Sequence, residues 1–482
     1  MNRYLVKTLG CKANLYDSQL IEAELQKRGW LPLQNSEEAD QLVCVVNSCT
    51  VTDEADRQSR KTASKLSRDY PKARVVVTGC AAEVDPERIA NSVGIHYVIG
   101  NRDKPQLVDL ILKKFELPLQ YEAKSGGEVL GQVETYSELL SRHPMDREWI
   151  EPAQAFQTPA VGFGDASGMT RAFLKIQEGC NAFCTYCIIP YGRGPSRSLR
   201  PRELIAQVKE LTARGIRELV ITGTNIGDYG TDWSESVELP FLLKTIFSET
   251  TIERVRVSSL DPVEISPELL ELMRTEPRFC PHFHVSLQSA SDRVLKLMKR
   301  KYGSAEVIRC LETIAKLSAP AGGAFVGMDV ITGFPGETEK EFEETLNRLE
   351  QLPWHRLHVF PYSERAGTPA TRLPKSVPPS ERARRAKILS ALSLARLTAR
   401  HEETLALLRA KSQPLENVLL EKVLHGPGGG APGEWLAGYT PNYLRVFLPK
   451  HHGLSRNQLI QVNVQSITIN SASGDVAFVG QA

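Results

Sequence analysis

Three cysteines, Cys180, Cys184 and Cys187, fall within the stretch EGCNAFCTYCIIPYGRG, spaced C-x3-C-x2-C. Thiolates are soft ligands that suit zinc and iron–sulfur clusters. A closed zinc site takes four ligands and a disulfide joins two cysteines, so three is too few for one and too many for the other. No further cysteine or histidine follows at zinc-finger spacing. A redox pair of Cys184 and Cys187 would leave Cys180 without a role. A [4Fe–4S] cube accommodates the number: three thiolates hold three irons, and the fourth iron stays open to a substrate.

A second set is scattered. Cys11 follows the strand-like YLVKTLG, Cys49 follows QLVCVVNS and Cys80 follows ARVVVTG. Each closes a predicted parallel strand. In an open α/β sheet the carboxyl ends of neighbouring strands converge on one crevice, where ligands bind. That shared position predicts a second three-cysteine site. Cys44 lies inside LVCVVN, and Cys280 and Cys310 stand apart from either set, so these three read as small buried hydrophobes.

The elements that must position these thiols follow from the hydrophobic periodicity. The chain has 482 residues, enough for several domains, and is predicted to be α/β. Residues 1–115 alternate strands and helices and predict an open parallel sheet. Residues 116–168 keep no persistent period and read as a linker or a partly ordered insertion. Residues 169–411 resume with strand candidates AFLKIQE, ELVITG, RVRVSS, HFHVSLQ, GMDVITG and LHVFPYS. Six βα repeats predict an incomplete (βα)6 barrel whose carboxyl-end loops include the Cys180 loop. A long helix over 381–411 ends that region. Residues 412–482 turn to VLLEKVL, YLRVFLP, QLIQVNVQSITI and DVAFVG, a small C-terminal β-barrel. The net charge of +2 is too mild to declare a nucleic-acid partner, so any basic surface must be local. No apolar run is long enough to span a membrane and no secretory signal opens the chain, which predicts a cytoplasmic protein with reduced cysteines.

GCNAFCTYC, with Tyr186 before its last cysteine, resembles the signature of radical S-adenosylmethionine (SAM) enzymes. The resemblance implies an open iron that binds the amino and carboxylate groups of SAM, and a reduced cluster that cleaves it to methionine and a 5′-deoxyadenosyl radical. LGCKANLYDSQ, VVNSCTVTDEADRQSRK and VTGCAA resemble the amino-terminal domain of methylthiotransferases. That family implies a second [4Fe–4S] cluster on Cys11, Cys49 and Cys80, and SAM used both as methyl donor and as radical source. The similarity covers nearly all of the chain outside 116–168. It further implies SAM contacts at Gly223, Thr224 and Asn225, at Ser259, at Gln288 and at Gly333, with Gly336 also leaving room for adenosine. The structural alternative for the two glycines is a turn.

LAGYTPNYLRVFLP, with Tyr439, Asn442, Tyr443 and Arg445, resembles the TRAM domain of RNA-modifying enzymes. Aromatic and cationic side chains can stack on bases and follow phosphates. Arg193, Arg197 and Arg200 after the cysteine loop are further RNA candidates. So are Lys296, Lys299, Arg300 and Lys301, and Arg382, Arg384, Arg385 and Lys387 on the long helix. A basic helix face is otherwise an ordinary solvated one.

Lys12, directly after the first cysteine, is similar to the branch acting on N6-threonylcarbamoyladenosine at position 37, beside the tRNA anticodon. Ala13 and Ser48 depart slightly from that branch, where valine and threonine are frequent. The implied partners are tRNA through its anticodon loop, a reductant and a sulfur donor, with the chain acting as a monomer. Within the family the alternatives are isopentenyladenosine in tRNA or a ribosomal-protein aspartate. A reading from another class is a zinc-stabilised RNA-binding protein without catalysis.

Overall fold

Valine-rich runs build the first sheet. Val75, Val76 and Val77 are all fully buried, as expected of a parallel strand covered by helices on both faces. The computed structural model describes the chain except residues 35–38, 116–125, 133, 142, 148, 150–169, 236, 318–322, 426–432, 452 and 471–472. The sheet is wholly parallel, in the order Leu31–Pro32, Arg3–Thr8, Leu42–Ser48, Arg74–Gly79, Tyr97–Ile99, Glu128–Leu130. The helices Lys12–Lys27, Asp53–Asp69 and Cys80–Val84 follow its successive strands.

The segment 116–168, expected to be a linker or a partly ordered insertion, is in part structured. Glu128–Leu130 forms the sixth strand of this sheet, and Tyr136–Ser141 is helical. Elements this short leave no readable period. Residues 150–168 of that segment lie outside the described residues.

The central barrel forms two walls. Arg254–Val257, Glu218–Gly223 and Arg171–Glu178 make one parallel wall, with Arg197–Ser198 antiparallel at its edge. Ser259–Leu260, His282–Gln288, Phe325–Thr332 and Arg356–Pro361 make the other. All six expected strands form, as an open arc. The helix Pro379–Lys411 follows, and its Leu397, Leu405 and Leu408 share a core with Leu415, Val418 and Phe478 of the tail. The tail is a closed five-stranded barrel. One of its strands, Glu434–Tyr439, was not foreseen, because EWLAGY carries small residues where a strand signal needs bulk. Among the described residues no helix is long and apolar enough to cross a membrane.

Candidate active site

The scattered cysteines meet. Cys11 caps the helix Lys12–Lys27, Cys49 directly follows its strand, and Cys80 opens its helix. Gly10 has φ of +89°, and a Cβ there would fall 2.6 Å from Cys49 Sγ, so the Cys11 loop needs glycine to lie against Cys49. The Asn14 side chain donates to the carbonyls of Leu9 and Ser48, both at 2.8 Å, and ties the two loops together. Burial pushes the Cys49 thiol up to about 12, and the neighbouring Cys80 and Cys11 push the same way.

Cys180, Cys184 and Cys187 also share one site. Burial pushes Cys180 up to about 12, and it raises Cys187 as well, with Cys184 and Cys180 adding to it. Gly179, at φ of +78°, fixes the loop's entry: a Cβ there would lie 1.7 Å from the Pro195 carbonyl. The Cys180 N–H donates to the Gly194 carbonyl at 3.0 Å, and Arg300 Nη1 donates to Cys184 Sγ at 3.0 Å.

The two sites are held against each other. The Arg193 guanidinium bonds Asn14 and Glu178, lies 3.1 Å from Asp17, and feels the fields of Cys80 and Cys11. Asp17 also pairs with Lys175 at 2.6 Å and Lys104 at 2.9 Å. Burial would raise the Asp17 pKa, but Lys104, Lys175 and Arg193 outweigh it and hold the carboxyl well below the usual range. Asn101 Nδ2 donates to Cys80 Sγ at 3.5 Å and to the Gly192 carbonyl at 2.6 Å. Arg147 has a fully buried side chain that pairs with Glu83 at 2.7 Å and donates to the Tyr191 carbonyl at 2.9 Å. Glu83 is on the Cys80 helix and Tyr191 on the short helix after Cys187, so Arg147 spans both cysteine regions. It comes from the segment 116–168, for which the sequence assigned no role.

Among the described residues no three His, Cys, Asp or Glu side chains converge on a point suited to one metal ion. A four-iron cluster asks for something else, since each thiolate binds its own iron. Cys49, Cys180 and Cys187, whose ionisation is made harder by burial and by their neighbouring cysteines, fit a group that brings positive charge of its own. Both cysteine sets therefore fit an iron–sulfur cluster by donor type, number and charge.

The residues expected to contact SAM gather only in part. The N–H groups of Thr224 and Asn225 donate to Gln177 Oε1 at 3.1 and 2.9 Å, and Thr224 Oγ1 accepts from the Gly179 N–H at 3.2 Å. Gly223 belongs to that same cradle: a Cβ there would lie 2.7 Å from the Gln177 carbonyl. Ser259 is exposed in its short strand, and Gln288 has φ of +64° at the end of its own. Gly333 needs a different account from the one expected. Its φ is +70°, and a Cβ would meet Arg382 Cγ at 2.4 Å, so glycine answers there to Arg382 packing. Gly336 likewise faces Leu297.

Sequence reasoning missed three carboxylates beside this opening. Asp228 and Asp261 both act on the Cys180 thiol, Asp261 pairs with Arg300, and Glu264 is pushed up to about 7 by burial and by Asp261. Asp228 comes from one loop and Asp261 and Glu264 from another, where the two form a capping box that was the one local signal.

Several RNA candidates need correction. Arg193 is 2% exposed and committed to Asp17 and Glu178. Asn442 is buried and accepts from Thr440 Oγ1 at 2.6 Å. Tyr439 and Tyr443 stack at 4.8 Å and line an internal cavity between the central barrel and the tail. Arg445 lies 3.5 Å from Asp475 and over the Phe447 ring. Arg197 is half-buried beside Trp149. Arg300, Arg382 and Arg385 turn inward to Asp261, Glu364 and Glu337. Arg200, Lys296, Lys299, Lys301, Arg384 and Lys387 remain exposed. Cys44 and Cys280 are buried and Cys310 packs against the barrel core, as expected.

Residues 174–349 match the Radical SAM superfamily, and residues 3–100 match a family described as Uncharacterized protein family UPF0004. The chain belongs to the radical SAM methylthiotransferases. It is 36% identical to threonylcarbamoyladenosine tRNA methylthiotransferase MtaB of Aquifex aeolicus, over 80% of this chain and 86% of that protein. It is 35% identical to the Bacillus subtilis protein of the same name, over 91% and 88%. A tRNA-2-methylthio-N(6)-dimethylallyladenosine synthase of Syntrophobacter fumaroxidans is 33% identical, over 80% and 78%. The fold resembles that of the radical SAM methyltransferase TsrM from Kitasatospora setae, with a TM-score of 0.52 at 14% identity over 77% of this chain and 75% of that one. The protein is thus an enzyme, which sets aside a zinc-stabilised binding module without catalysis. Radical SAM membership brings SAM and a [4Fe–4S] cluster.

Proposed function

We propose that this enzyme methylthiolates C2 of N6-threonylcarbamoyladenosine at position 37 of tRNA, using two [4Fe–4S] clusters. Cys180, Cys184 and Cys187 hold the one that meets SAM, and Cys11, Cys49 and Cys80 hold the one that carries the sulfur. The observation that carries this reading is the juxtaposition of two three-cysteine sets through Arg193, Asn101 and Arg147. The names of the relatives from A. aeolicus and B. subtilis support the substrate. When bound, the clusters supply the electron that cleaves SAM and the sulfur that is transferred.

The chain's own residues do the rest. Gln177 holds the Thr224–Asn225 backbone beside the Cys180 loop. Asp228 and Asp261 give that opening a negative field suited to the sulfonium and ammonium of SAM, while Glu264, pushed up to about 7, can hold a proton beside them. Ser259 and Gln288 complete the cosubstrate contacts. Arg193 and Asp17 fix the separation of the two cysteine sets.

The tail barrel, residues 412–482, acts as a TRAM-like RNA module. Arg200, Lys296, Lys299 and Lys301 are the exposed cations that meet the anticodon loop phosphates. The enzyme works in the cytoplasm as a monomer, with a reductant and a sulfur donor as partners. Mass spectrometry of tRNA nucleosides from cells lacking the protein tests the substrate. The expected result is loss of 2-methylthio-N6-threonylcarbamoyladenosine with its precursor retained. Loss of the isopentenyladenosine product instead would move the enzyme to the other branch.

A further inference from the structure

A cavity of about 290 Å³ lies inside the central barrel, lined by Lys12, Arg171, Arg256, His284, His358 and Tyr443 among others. Its side chains come mainly from the amino-terminal halves of the strands, away from the Cys180 loop, and from the tail. Lys12 reaches it from the other direction: it is the residue after Cys11 and the first of its helix. One loop therefore brings Cys11 to the scattered cysteine site and Lys12 to the barrel interior.

The charges of the cavity are already matched, with one exception. Arg171 pairs with Glu421 at 2.7 Å, and Arg256 with Glu218 at 3.1 Å. Arg356 and Arg445 share Asp475 at 2.9 and 3.5 Å. His284 Nε2 lies 2.9 Å from Asp329. Burial keeps His282 neutral, and burial together with His284 lowers His358 to about 4. Lys12 alone among the described cations of this cavity has neither a hydrogen bond nor an ion pair. The fields of Tyr443 and, more weakly, Asp329 reach it, and Asp329 is committed to His284. Lys12 is exposed by area yet lines this cavity, so its ammonium is a solvated cation without a counter-charge, open to an arriving anion.

We propose that Lys12 is a specificity-determining residue that receives the carboxylate of the threonylcarbamoyl group on the substrate base. The inference rests on the substrate reading given above. Threonine joined through its amine to a carbamoyl group keeps a free carboxylate. That group hangs from N6, and C6 and C2 of the purine are separated only by N1. A base whose C2 faces the sulfur at the Cys11 site thus presents its anionic substituent close to Lys12. The apolar isopentenyl group offers such a cation nothing. A charge-assisted hydrogen bond is the kind of contact that favours a ligand carrying the charge over one lacking it.

The test measures Kd of the cluster-loaded enzyme for anticodon stem-loops carrying threonylcarbamoyladenosine, its threonine-amide analogue, or plain adenosine. Wild type is expected to bind the acid about tenfold or more tighter than the amide, in keeping with an ionic hydrogen bond. Lys12→Gln removes that discrimination, and Lys12→Arg restores most of it. Iron content establishes that each variant is intact, with Lys12→Met as the replacement if Lys12→Gln loads poorly. Lys12→Gln that still prefers the acid overturns the assignment of Lys12 and leaves the substrate reading standing. Lys12→Gln that weakens all three loops equally also overturns it, because Lys12 would then serve backbone phosphate. Wild type that neither prefers the acid nor methylthiolates its loop overturns the substrate reading itself.

Discussion

Cys180, Cys184 and Cys187 share a single loop, whereas Cys11, Cys49 and Cys80 come from three separate strand ends. The single loop is organised by its own backbone: Gly179 turns it, and Gly194 and Arg300 hold it. The scattered set has no local organiser. It depends on a parallel sheet to align the three strand ends and on Gly10 and Asn14 to bring the loops together. The lesson is that a contiguous motif survives almost any scaffold, while a dispersed one is only as accurate as the packing between elements.

The largest break in that comparison comes from deleting the dispersed set. Cys11→Ala, Cys49→Ala and Cys80→Ala combined should abolish methylthiolation while SAM cleavage continues, measured as 5′-deoxyadenosine released without modified RNA. Loss of both activities would mean that the sets are not separable.

Arg147→Ala is expected to cost about 3–5 kcal/mol, because it leaves Glu83 buried without its full complement of charge. Thermal unfolding reads the loss, and Arg147→Lys should recover part of it. An unchanged Tm would show that the clasp between the two cysteine regions carries no energy.

Two glycine substitutions sharpen the contrast at smaller cost. Gly10→Ala and Gly179→Ala each put a side chain where φ is positive and space is filled, a strain of about 1–3 kcal/mol. Gly10→Ala should lower the iron held by the dispersed set and spare the loop set, and Gly179→Ala should do the reverse. Iron content of each substitution combined with the opposite cysteine triple variant separates the two. Equal losses in both would erase the distinction.

The smallest effect is a pH slope. The Asp17 pKa is lowered in the folded chain, so its pairing stabilises above the ordinary carboxylate range and is lost as pH falls through the folded value. Asp17→Asn should flatten the acid limb of stability between about pH 5 and pH 2 relative to wild type. A limb unchanged by the substitution would place the acid sensitivity elsewhere.

What the sequence revealed follows the same divide. The Cys180 motif is legible because its spacing is local, and the six barrel strands because each is a continuous apolar run. Cys11, Cys49 and Cys80 became legible only through the strands that precede them. Arg147 and the cavity around Lys12 were not legible, since their partners come from distant elements and no period marks them. The misreadings have one physical source. Arginine and tyrosine read alike in sequence whether they face RNA or, as Arg193 and Tyr443 do, satisfy buried carboxylates and stack inside the fold.

The central claim is that two independent cysteine sets each hold a four-iron cluster. Iron counted after anaerobic reconstitution tests it most directly. The account predicts about eight irons per wild-type chain and about four in either cysteine triple variant, Cys180/Cys184/Cys187→Ala or Cys11/Cys49/Cys80→Ala. About four irons in wild type, or a triple variant that loses none, would contradict it.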